Sequence, residues 1–338
     1  MTYSIKTIEN LTAGLLEASG LSRENSIAAA EIFGRASLRN VGHHDIYFLP
    51  QRLDWLANKG VNPRPSIRLE SAFGATEIWD GDKGLGELCC RHITHRVMDL
   101  ARKNGIGFAT VKRSNHFLAA SPYCEIGAEN GFLLMVFSNT DPCMSFPGGD
   151  KNVIGNNPLG FGLPRASGAN LVFDVCMAYS SLGNMRSYVK NGQSIPGHWA
   201  KDSVGNWTTD PKAALDGGSI QPMAQHKGFG LALMTESLTG LLSGGATGNR
   251  VASGGGINTH NQSVIAFDLA AFGGVPAVGE RADDLAARLK ADDPRIRLPG
   301  EHSQTERTRL QAEGITLDVK LVETLREWQA KLGIAQTF

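Results

Sequence analysis

The sequence predicts an α/β protein in which a mixed sheet is layered with helices. Helical periodicity dominates both ends of the chain, short glycine-bounded strands alternate with helices between them, and the apolar run 132–137 is long enough for a strand buried on both faces. Up to Gly60 the pattern is helical. Leu11, Leu15, Leu16 and Ala18 form one stripe that Gly20 stops. Ser22 opens a second helix with apolar positions Ile27, Ala30, Ile32, Phe33 and Leu38, and Gly42 can end it as a C-terminal cap. Ile46, Leu49, Leu53 and Leu56 mark a third. Asn62-Pro63-Arg64-Pro65 breaks the pattern, since each proline disfavours helical backbone before it, and places a boundary after residue 64.

Beyond that boundary, 67–69 and 76–79 read as short strands, 87–103 as a long helix and 105–111 as a strand. A helix over 122–130 precedes the apolar run, a glycine-interrupted strand follows Gly155-Asn156-Asn157-Pro158, and 171–175 is a strand with Asp174 near its exit. The chain then reads as loop-rich as far as Lys227. A buried helix is predicted over 227–242, a strand over 263–267, and helices over 282–289, 303–312 and 319–332. The expected organisation is a helical region at 1–64, a sheet domain at 65–275 that holds the cofactor, and a helical region at 276–338 packing on the first.

Composition narrows the function. Lys plus Arg, 33, equals Asp plus Glu, 33, so no basic excess points to nucleic acid. Five cysteines without a CxxC read as reduced thiols. Residues 1–6 lack an apolar h-region, and no run approaches the ~20 apolar residues of a membrane helix. The expectation is a cytoplasmic protein with a small-molecule substrate.

The chemistry-bearing stretch is Gly42-His43-His44-Asp45 at a helix junction. Imidazole, with an unperturbed pKa of about 6.5, suits proton transfer at neutral pH. Adjacent helical residues diverge by about 100°, so one histidine serves chemistry and the other supports it. No G-x-G-x-x-G is completed by Gly84-Leu85-Gly86 or Gly228-Phe229-Gly230, and no P-loop occurs. His92 and His95, with Asp99 beyond, form a metal candidate on one helix face. From residues alone this is an α/β enzyme with a histidine acid/base and no assigned reaction.

The ordered motifs Gly42-His43-His44, Ser114-Asn115-His116-Phe117, Gly155-Asn156-Asn157-Pro158, Phe173-Asp174-Val175, His198-Trp199-Ala200-Lys201-Asp202 with Thr208-Thr209-Asp210-Pro211, Lys227-Gly228-Phe229-Gly230 and Leu298-Pro299-Gly300-Glu301 resemble the type-2 malate/L-lactate dehydrogenase family. That family includes sulfolactate and ureidoglycolate dehydrogenases, 2,3-diketo-L-gulonate reductases and piperideine/pyrroline-2-carboxylate reductases. The resemblance implies a non-Rossmann, mixed seven-stranded sheet with flanking helical regions, NAD or NADP as cofactor, and a homodimer. It implies His44 as proton donor to a 2-keto acid, sugar acid or cyclic imine, with His116 and Asp174 as further catalytic candidates. Thr140, Asp174, Val175, Cys176, His226, Lys227, Gly300, Glu301 and His302 take the cofactor-contacting positions. The chain departs from the family signature at His43, Asp45 and Phe48, which replace serine, glycine and a carboxylate-gripping arginine. Substrate contact therefore falls to Phe48 and to a substitute cation, Arg52, or Arg35 or Arg39. Two other classes fit the residues: a metal-dependent hydrolase and a non-catalytic ligand-binding relative.

Overall fold

The computed structural model describes residues 1–40, 44–254 and 257–335, so Gly42 and His43 lie outside the described residues. Among the described residues, eleven α-helices in chain order are α1 (Ile5–Ala18), α2 (Arg23–Ser37), α3 (Leu49–Ala57), α4 (Gly86–Asn104), α5 (Ser121–Glu129), α6 (Leu182–Lys190), α7 (Pro211–Leu215), α8 (His226–Glu236), α9 (Gly274–Asp292), α10 (Glu301–Glu313) and α11 (Val319–Lys331). The seven strands of the main sheet are β1 (Arg68–Phe73), β2 (Thr76–Asp80), β3 (Ile106–Ser114), β4 (Phe132–Ser138), β5 (Leu159–Leu163), β6 (Leu171–Val175) and β7 (His260–Asp268).

Their order across the sheet is β1-β2-β3-β7-β4-β5-β6. β2 and β3 run parallel and every other neighbouring pair runs antiparallel. This is the mixed seven-stranded α/β architecture that the motif order implied. β7 is the late strand inserted at the centre, pairing Phe267 with Ile106 on one side and with Leu133 on the other. β4 alternates instead of burying both faces: Phe132, Leu134 and Val136 are fully enclosed, Leu133 and Met135 only half so. The glycines that interrupt β5 follow from α5 lying flat on it. A Cβ at Gly162 would fall 2.4 Å from the Cys124 carbonyl oxygen, so the helix reaches the sheet only where side chains are missing.

One hydrophobic cluster joins the two ends of the chain to the sheet. Ile8, Leu15, Leu16 and Phe33 from α1 and α2 share it with Val97, Val264 and, from α11, Leu325 and Trp328. Thr2 and Tyr3 pair antiparallel with Thr316 and Ile315, fastening the ends together. A second cluster, with Met144, Met177, Met185, Ile195, Ala214 and Ile220, fills the segment after β6. That segment is more ordered than its polar, turn-rich sequence suggests. Ser181 caps α6 by accepting from the Asn184 N–H, and Met185 anchors the helix in the second cluster.

The helix read as buried over 227–242 turns only its small face inward. Gly228 and Ala232 are enclosed, whereas Leu233 and Leu241 are 53% and 62% exposed. Its polar residues Thr235 and Glu236 are buried beside the small ones, so polarity does not mark the outward face. α9 also begins eight residues earlier than its apolar spacing indicated, at Gly274 against 282. Among the described residues no helix is long and apolar enough to cross a membrane.

Candidate active site

A cleft of about 760 Å³ opens between the start of α3, the exits of β3 and β4, the strand β6 and the first turns of α6. His44 and His116 adjoin edge to face in its lining, ring centroids 5.0 Å apart at 71°. His44 has a φ of 63°, in the left-handed region where histidine is enriched among non-glycine residues. Asp45 opens the 3-10 turn Ile46–Phe48 behind it, Oδ1 accepting from the Tyr47 N–H at 3.0 Å. Phe48 lies edge-on to His44 at 5.3 Å and stacks on His116, 5.4 Å away and only 8° from parallel.

His116 is fixed more firmly than any motif reading showed. Its N–H donates to Asn115 Oδ1, and its Nδ1 sits 3.0 Å from Arg52 Nη2 and 3.2 Å from the Leu118 N–H. Guanidinium and amide offer only donors, so Nδ1 must accept and the ring proton resides on Nε2. Burial pushes the His116 pKa well below the ordinary histidine value, and the Arg52 charge, with His44 and His260 nearby, adds to the shift. His116 is therefore a neutral imidazole that presents one N–H.

Arg52 lies beneath this ring. Its side chain and that of Glu87 are both 0% exposed, paired at 2.8 Å, and Arg52 also donates to the His116 carbonyl at 2.9 Å. Glu87 stands in the first turn of α4, which comes very close to the histidine loop. A Cβ on Gly86 would lie 2.2 Å from the Asn115 carbonyl oxygen.

On the opposite wall, Thr140 receives two supports from the Asn-Asn turn. Its N–H donates to Asn157 Oδ1 at 3.1 Å and its hydroxyl to Asn156 Oδ1 at 3.0 Å. Asn157 is in turn held by the buried Glu236 carboxylate, which also accepts from Asn139. Asp174 accepts from the Ser121 N–H at the start of α5, at 2.9 Å. Val175, Cys176 and Gly300 complete this wall, with the Cys176 thiol pushed up by burial and so kept protonated.

The structure thus brings His44, Phe48, His116, Thr140, Asp174, Val175, Cys176 and Gly300 to one cleft, with Arg52 behind its surface. It does not bring four other predicted residues to that surface. His226 and Lys227 are exposed in the first turn of α8, although the Met223 N–H bonds Met177 O at 2.9 Å and ties the approach to α8 against the exit of β6. Glu301 is turned toward the Leu298 N–H and Lys290, and His302 is exposed. Arg35 and Arg39 are committed to Glu31, Glu125 and Glu129. His92 packs edge-on against Trp79 at 4.5 Å, and among the described residues no three His, Cys, Asp or Glu side chains are grouped to hold a metal.

Two participants were missed in the sequence. His260, wholly buried at the start of β7, bonds Asp141 Oδ2 through Nε2 at 3.0 Å, its ring 6.3 Å from that of His116. Asp141 directly follows Thr140, which was the available signal. Arg186 lines the cleft from α6, and the signal there was Ser181 as a cap before Leu182, Met185 and Val189 at helical spacing.

Comparison with known proteins bears on what such a cleft belongs to. The sequence profile of the malate/L-lactate dehydrogenase family matches residues 3–326. The chain belongs to that family. It is a dehydrogenase or reductase of this family, with the small-molecule chemistry that implies. The L-sulfolactate dehydrogenase of Methanothermobacter thermautotrophicus is 30% identical over 95% of this chain and 93% of its own length. The Delta(1)-pyrroline-2-carboxylate reductase of Pseudomonas fluorescens is 32% identical over 96% of this chain and 98% of its own. The structure of sulfolactate dehydrogenase from Methanocaldococcus jannaschii superposes with a TM-score of 0.91 at 27% identity, covering 99% of this chain and 98% of that one.

Proposed function

We propose that this family member moves a hydride between NAD or NADP and the carbon of a small 2-keto/2-hydroxy acid or sugar acid, with reduction of a cyclic imine carboxylate as the second reading. The observation that carries the proposal is the pair of adjoining imidazoles, one of them locked in a single tautomer. A hydride arriving at carbon leaves an alkoxide or amine that needs a proton. His116, neutral with its Nδ1 occupied, offers a fixed Nε2–H bond to the substrate oxygen or nitrogen. His44, in edge contact with His116 and lining the same cleft, delivers the proton. Asp174 borders this chemistry from β6.

The residues fit a nicotinamide cofactor. The cleft volume of about 760 Å³ lies within the usual range for small-molecule sites. Thr140, Asp174, Val175, Cys176 and Gly300 would hold the nicotinamide half, and Lys227 and His226 would reach phosphate from the rim at the start of α8. Bound there, the cofactor supplies or accepts the hydride. The cyclic imine reading is favoured by Phe48, whose ring offers an apolar wall beside the two histidines.

The exposed Leu231, Leu233 and Met234 of α8, with Leu241 and Leu242 in the helical turn that continues it, form an apolar face that we read as the contact of a homodimer. Light scattering at the 36.2 kDa monomer mass would refute that part. The reaction is tested by following NADH and NADPH oxidation against 2-keto acids, diketo sugar acids and cyclic imines. Turnover with at least one class supports the proposal. Absence of turnover, together with absence of cofactor binding by calorimetry, overturns it.

A further inference from the structure

We propose that Arg186 is the substrate-carboxylate anchor of this cleft and that the substrate is a monocarboxylate with an apolar body. The inference rests on the reductase reading above and extends it to substrate class. An anionic substrate that leaves water needs a cation to meet its charge. Among the described residues lining the cleft, only two side chains carry a permanent positive charge, Arg39 and Arg186. Arg39 is spent: its side chain is 7% exposed, 2.6 Å from Glu125 Oε1 and within hydrogen-bond reach of Ser303. Arg52 is spent on Glu87 and His116. Arg186 is exposed in the second turn of α6, and no hydrogen bond or ion pair to a described residue occupies its guanidinium. It shares the cleft with both catalytic imidazoles, and its charge is felt at His116.

The remaining charges sharpen the assignment. His116 is held neutral, and Asp141 and Asp174 contribute carboxylates to the same lining. A substrate carboxylate entering without Arg186 would meet fixed negative charge and, among the described lining residues, no permanent cation beyond the already paired Arg39. An apolar surface beside the imidazoles is offered by Phe48, stacked on His116, with Trp55 and Leu118 in the same lining. These two features orient the substrate, its carboxylate toward α6 and its body against Phe48. They also leave a second carboxylate without a partner among the described residues. A guanidinium at this point makes two parallel bonds to a carboxylate, which a lysine cannot reproduce.

The test compares wild type, Arg186→Gln and Arg186→Lys in three measurements. Calorimetry with 2-furoate and its neutral amide, both non-reducible, reads the anchor without turnover. The wild type is expected to favour the acid by about 10²-fold, Arg186→Gln to lose that preference, and Arg186→Lys to retain part of it. Steady-state reduction of phenylpyruvate at saturating cofactor should show the Gln variant's KM raised about 10²-fold, with kcat falling far less. Cofactor affinity should be the same in all three proteins. Wild type should also prefer phenylpyruvate over oxaloacetate in kcat/KM.

An unchanged acid-over-amide preference in Arg186→Gln overturns the anchor, and so does weakened cofactor binding with an unchanged KM, which would place Arg186 on cofactor phosphate. A preference for oxaloacetate overturns the monocarboxylate assignment. If no substrate turns over while the furoate preference follows Arg186, the reductase reading fails and the anion site stands.

Discussion

Replacing Arg52 by methionine separates stability from catalysis, because this one side chain serves both. Its guanidinium is wholly buried with Glu87, and the second Glu87 oxygen, Oε2, is buried without any partner. Removing the arginine leaves a carboxylate in the interior with nothing to balance it, a loss of about 3–5 kcal/mol. Domains hold only about 5–15 kcal/mol in total, so Arg52→Met should fold at the edge of stability. Replacing both partners, Arg52→Met with Glu87→Met, removes the uncompensated charge and should recover most of that loss, since apolar pairs of similar volume substitute well for buried ions. It cannot return the donor at His116 Nδ1 or the bond to the His116 carbonyl, 3.0 and 2.9 Å in the native arrangement. The double variant should therefore be stable and slow, with kcat reduced about 10²-fold as the ring keeps only the Leu118 N–H at Nδ1 and loses the guanidinium that fixes its position. Urea denaturation gives the first quantity and steady-state reduction the second. A double variant as unstable as the single one would refute the charge argument. Full activity in a folded double variant would refute the positioning of His116 by Arg52.

Three further outcomes follow from the same cleft. His44→Asn keeps a residue that tolerates the left-handed backbone at φ 63°, so it should preserve cofactor affinity while lowering kcat by ~10²–10⁴-fold; His43→Ser should cost far less, and equal losses would reassign the donor to His116. Burial holds the pKa values of His116, His92 and His95 below the ordinary value, so the unfolded chain binds protons that the folded one does not. Stability should then be fully present above about pH 6.5 and fall as pH drops below it, His116 alone contributing up to about 1.4 kcal/mol per pH unit; denaturation midpoints between pH 7 and 5 test this, and His116→Gln should flatten the slope. Gly86→Ala would set a Cβ 2.2 Å from Asn115 O and should push the histidine loop aside, costing about 1–3 kcal/mol together with a drop in kcat that thermal melts and rates would show; a wild-type kcat would refute the packing argument.

Much of the fold was legible because its elements carry strong local signals. α4 and α11 were found within about a residue at each end and the stop of α1 from Gly20, and the β4 run announced itself by composition. The strand order was not available from periodicity, since a late strand inserted between β3 and β4 leaves no local trace, and only the ordered motifs implied the sheet. α6 was lost because Gly183, Asn184 and Ser187 dilute a helix that is held by tertiary contact of Met185 more than by propensity. At the site, motif order picked out residues that the structure draws together from distant segments. What it could not supply was the charge economy of the arginines. Arg52, Arg39 and Arg186 look alike in sequence, and only their carboxylate partners, from 35 to 86 positions away for the first two, distinguish the committed ones from the available one.

The pairing of residues 2 and 3 with 315 and 316 has a consequence for how the protein is made. α1 leaves the ribosome well before the residues of α11 that share its hydrophobic cluster. At about 5–20 residues per second, synthesis of the stretch between Ala18 and Val319 lasts roughly 15–60 s, during which the stripe of Ile8, Leu15 and Leu16 lacks its final cover. Over that interval the apolar stripe of α1 is the part of this cluster that waits longest for its cover.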